Sequence, residues 1–98
     1  MINVDLSQVI TAEAKAARTA DSLLSRRKAE CRDRIFAVVS ATAQMNLTAA
    51  AAAGGLSDEQ MQTYRAGLNW IAAMRAASAG GGDWPNVPAG VVELANQF

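Results

Sequence analysis

The chain has 98 residues, nine basic and nine acidic side chains, and no His. Without His there is no His-based general base, no Ser-His-Asp or Cys-His nucleophile system and almost no route to a zinc or haem site, and zero formal charge gives no general affinity for nucleic acid. Ala alone supplies 22 residues while Leu, Ile, Val and Phe together supply 20, so the composition favours long helices that meet one another or a partner over a thick core.

Residues 1–10 alternate Ile2, Val4 and Leu6 with Asn3 and Asp5, a period of two that predicts an extended segment with one apolar edge. Thr11 is placed to cap a helix, and Glu13 puts a carboxylate in its first turn. From Ala12 to Ala53 there is neither Gly nor Pro, and good helix formers dominate. One long helix is expected. Asp21-Ser22 and Asn46-Leu47-Thr48 are the places where it could break.

Leu24, Cys31, Ile35, Val38, Thr42, Met45 and Ala49 follow heptad spacing along this helix, with Lys28 the one charged intruder. We take Leu24, Cys31, Ile35, Val38 and Met45 as a self-association seam. Phe36, Val39, Ala43 and Ala50 form a second stripe beside it, wide enough to meet more than one helix. Cys31 is the single cysteine and cannot form an internal disulfide; on the seam it acts as a small hydrophobe. Arg26, Arg27, Lys28, Arg32 and Arg34 are the basic cluster, interrupted by Glu30 and Asp33 and read as a solvated helix face. Ile35 to Ser57 carry no charge, but Ser40, Thr42, Gln44, Asn46 and Thr48 make a buried hairpin core a better reading than a membrane span.

Gly54-Gly55 closes the long helix, and Ser57 with Gln60 forms a capping box for the next, running to about Ser78. So short a loop folds the second helix back antiparallel, bringing Met61 towards Ala49 or Ala50 and Ile71 or Met74 towards Ile35. The first helix is about twice as long as the second. Its N-terminal half therefore lacks an intramolecular partner, which points to a homo-oligomer or an assembly partner. Gly80-Gly81-Gly82 reads as a flexible connector. Pro85 and Pro88 extend the tail, and Pro88 could open a last short helix that ends on the apolar anchor Phe98. The expected fold is all-α: a long helix and a shorter antiparallel one (a helical hairpin), then a short C-terminal helix after a Gly/Pro-containing linker. Its segments are an extended stretch over 1–10, the hairpin over 11–79, and linker and C-terminal segment over 80–98.

Leu56-Ser57-Asp58-Glu59-Gln60, then Tyr64-Arg65, Leu68 and Ile71, and then Trp84-Pro85 with Pro88 resemble the ending of small phage tail-fibre assembly chaperones and related prophage tail accessory proteins. In those proteins Leu-x-x-(Tyr/Trp)-Arg-x-x-Leu-Arg is followed by Trp-Pro-x-x-Pro. The stretch Val9 to Lys15 is similar to their openings. This chain departs from the pattern at Asn69, where a second Arg is usual, and at Trp70, where Asp is common. The resemblance implies a non-catalytic role in binding a tail or fibre protein in the host cytoplasm during assembly, with association to the virion as a further expectation. Tyr64, Arg65, Trp84, Pro85 and Pro88 are the matching positions implied to bind the partner. No cofactor, metal, small-molecule substrate, nucleic acid or membrane is expected. The alternatives are a small phage-encoded inhibitor of a host protein and a structural coiled-coil subunit of the particle.

Overall fold

The computed structural model describes the backbone of residues 2–98 and the side chains of residues 14, 15 and 18–98. The protein is all-α. Four helices follow in order: α1 (Ile2–Val38), α2 (Ala41–Ala52), α3 (Asp58–Gly80) and α4 (Val91–Asn96). The molecule is elongated, 72 × 22 × 18 Å.

The long helix does not run unbroken to Ala53. It stops at Val38, and α2 leaves at 64° to the preceding segment Arg18–Val38. Neither of the expected break points is used. Ser40 makes the break: it is extended (φ −60°, ψ 160°), and its hydroxyl accepts from the Ala43 backbone N–H at 3.1 Å. A Ser at this position satisfies one of the N–H groups that a new helix start leaves open. Gln44 Nε2 donates to the Val39 carbonyl at 3.0 Å, which supplies a partner at the same corner.

The extended segment expected over 1–10 is also corrected, because α1 already begins at Ile2. No strand exists among the described residues, and the helix pairs these backbone groups internally. The helix start expected at Thr11 is corrected with it, since α1 runs through that position; the side chains of residues 1–13, and with them the expected apolar edge, lie outside the described residues.

α2 ends as the Gly pair predicts. Gly54 is left-handed (φ +73°), and Gly55 N–H reaches the Ala50 carbonyl at 2.8 Å, so the chain turns sharply into buried Leu56. The capping box is formed in both directions: Gln60 N–H donates to Ser57 Oγ at 3.1 Å, and Ser57 N–H donates to Gln60 Oε1 at 2.9 Å. Pro88 does not open the last helix. α4 starts at Val91 behind left-handed Gly90 (φ +86°), and the Pro88 carbonyl accepts from Val91 N–H at 3.4 Å.

Two apolar clusters hold the elements together. The first joins Val39, Ala43 and Leu47 to Leu56, Val91 and Leu94, with Met61, Ala50 and Phe98 packed against it. The second joins Cys31 and Ile35 of α1 to Trp70 and Met74 of α3. Val38 packs against both clusters. Met61 thus shares a cluster with Ala50, and Met74 with Ile35, the pairing an antiparallel return requires.

Candidate partner-binding surface

The expected seam divides across the bend. Cys31 and Ile35 are buried in the chain's own hairpin against Trp70 and Met74, and Val38 is half-buried. Met45 is 72% exposed, because the change of direction at Ser40 turns Val39, Ala43 and Leu47 inward instead. Leu24 remains open at 40%, beside Leu23 at 54%. The five positions therefore do not form one continuous free surface.

The positions carried over from the resemblance also separate. Tyr64 is half-buried, its hydroxyl 3.4 Å from Thr48 Oγ1. Trp84 lies under two guanidinium groups, Arg27 at 4.1 Å and Arg34 at 5.2 Å from the ring centre. The Pro85 carbonyl accepts from Trp70 Nε1 at 3.1 Å. Trp84 and Pro85 hold the tail on the hairpin, whereas the contact shown for Pro88 lies within the tail, at Val91 N–H. Arg65 is exposed on α3, as is Leu68.

Within the basic cluster Arg27 stands apart. Its Nη2 donates to the Ala77 carbonyl at 3.0 Å and the Gly82 carbonyl at 2.6 Å, at the C-terminal end of α3. A cation there meets the negative end of the helix dipole, adds to the Gly81 N–H that the Ala77 carbonyl already accepts, and reaches the Gly82 carbonyl just past the helix. These contacts span 50 and 55 residues of chain, so no local signal in the sequence announces them. Arg34, by contrast, pairs with Glu30 at 2.9 Å as the i,i+4 spacing predicts.

The Arg27–Ala77 contact fixes the register of the hairpin: α3 ends opposite Arg27. The α1 segment from Ile2 to Arg26 runs past that end for about 37 Å at 1.5 Å per residue. Within it, residues 18–26 are all exposed.

Among the described residues, no group of three or more His, Cys, Asp or Glu side chains is arranged to hold a metal ion. No single helix among them is long and apolar enough to cross a membrane. Compared with known protein families, curated proteins and solved structures, the chain matches none.

Proposed function

We propose that this chain is a non-catalytic protein-binding module that self-associates through the projecting half of α1 and binds a phage tail or fibre protein during assembly. The observation that carries the reading is that projection. A helix extending beyond its hairpin, with Leu23 and Leu24 open on it, buries apolar surface only by meeting another chain. The phage setting comes from the resemblance of the segment Leu56–Pro88. Because Trp84 and Pro85 are engaged within the chain, the proposed contact with the tail or fibre protein moves to Arg65 and Leu68 on α3.

The test is co-expression of the full chain with phage tail and fibre proteins. The reading expects a stable complex that Leu68→Asp abolishes while oligomeric state and helix content stay unchanged. A folded chain that forms no complex with any of these proteins overturns it.

A further inference from the structure

Trp84 covers one flank of the α1–α3 crevice by stacking under Arg27 and Arg34. The opposite flank is open and forms a cavity of about 340 Å³. This lies within the range of small-ligand sites, which are largely apolar with a few convergent polar groups. Its apolar wall includes Ile35 and Phe36, and Phe36 stays 43% exposed. Lys28 and Arg32 of α1 and Arg75 of α3 line the same cavity. Among the described residues Lys28 and Arg75 make no ion pair, and Arg32 has only Asp33, with Nε 3.6 Å from the carboxylate on an exposed edge. Ser78 also lines it; the residue is 5% exposed and its Oγ has no hydrogen-bond partner. A buried hydroxyl without a partner is costly, so a ligand that supplies an acceptor gains from meeting it.

We propose that this crevice binds a small amphiphilic anion, its apolar body against Ile35 and Phe36 and its anionic head among Lys28, Arg32 and Arg75. The cations on two helices give a site that exists only when the hairpin is closed, so binding also stabilises the α1–α3 pairing by mass action. This site goes beyond the protein-binding reading and does not rest on it.

The probes are anilinonaphthalene sulfonate, an aromatic anion, and phenylnaphthylamine, which lacks the sulfonate. Titration of the full chain is expected to show saturable one-to-one binding of the sulfonate, with the neutral compound about tenfold weaker, as loss of a charge-assisted contact implies. Arg75→Gln and Lys28→Gln, each with unchanged helix content, weaken the sulfonate to a similar degree. Phe36→Ala weakens both probes. Arg18→Gln, on the projecting part of α1, changes neither. Amide shifts in nuclear magnetic resonance spectra concentrate at 28–36 and 75–79. Equal binding of the two probes, indifference to Arg75→Gln and Lys28→Gln, or shifts centred elsewhere would each overturn the proposal.

Discussion

Arg27 joins three parts of the chain through one guanidinium: α1, which carries it, the end of α3, and the Trp84 ring of the tail. Charged hydrogen bonds to helix-end carbonyls and a partly buried cation–π contact together suggest a loss of about 2 kcal/mol for Arg27→Ala, read from urea unfolding. Arg27→Lys should restore only part of this, because an ammonium cannot span two carbonyls and a ring face in one plane. A double-mutant cycle with Trp84→Ala should give a coupling of about 1 kcal/mol. Additive losses would show that the ring and the guanidinium act independently. None of this was legible beforehand. Arg27 sits in a run of basic residues whose spacing to Glu30 and Asp33 equally suits a solvated face, and its partners lie far along the chain at Ala77, Gly82 and Trp84.

At the scale of elements, the local signals that held were those completed within a few residues. The Ser57–Gln60 capping box and the left-handed Gly54 need only neighbouring backbone. The bend at Val39-Ser40 is different. Ser is common inside helices, and nothing in the surrounding Ala-rich stretch compels a stop. What selects the stop is α4: turning at Ser40 brings Ala43 and Leu47 onto Val91, Leu94 and Ala95. The heptad spacing therefore picks out Cys31 and Ile35, which the chain's own hairpin buries instead of leaving them for self-association, and it is out of phase beyond Val38. Ser40→Ala removes the cap and should cost about 1 kcal/mol. The second cluster depends most on Met74, 1% exposed; Met74→Ala should cost about 3 kcal/mol by leaving a cavity between α1 and α3. Chemical denaturation checks both, and a larger loss for Ser40→Ala than for Met74→Ala would contradict this ranking.

For the whole molecule, the division of labour along α1 decides the outcome. Its C-terminal third is the hairpin's own core. The preceding length is what an assembly can use. Gly54-Gly55 and Gly80-Gly81-Gly82 mark where α2 and α3 end, and the antiparallel packing of α3 on the long helix was readable, but the end of the long helix at Val38 carries no such mark. Which apolar residues are left over was not readable either, because that depends on the register set by Arg27 and on the phase change at Ser40. The two parts predict opposite phenotypes. Ile35→Asp places a charge among Cys31, Trp70 and Met74 and should cost about 4 kcal/mol, a large share of the stability of a small domain, so it unfolds the chain. Leu23→Asp with Leu24→Asp alters only exposed positions and should leave the chain folded but alone.

Light scattering after gel filtration, run on the unaltered chain and on the Leu23→Asp/Leu24→Asp pair, tests this most directly. The unaltered chain should elute as a dimer or larger assembly, and the variant as a folded monomer. An unaltered chain that is monomeric at every concentration, or a variant whose assembly is undiminished, would contradict the assignment of the projecting helix to association.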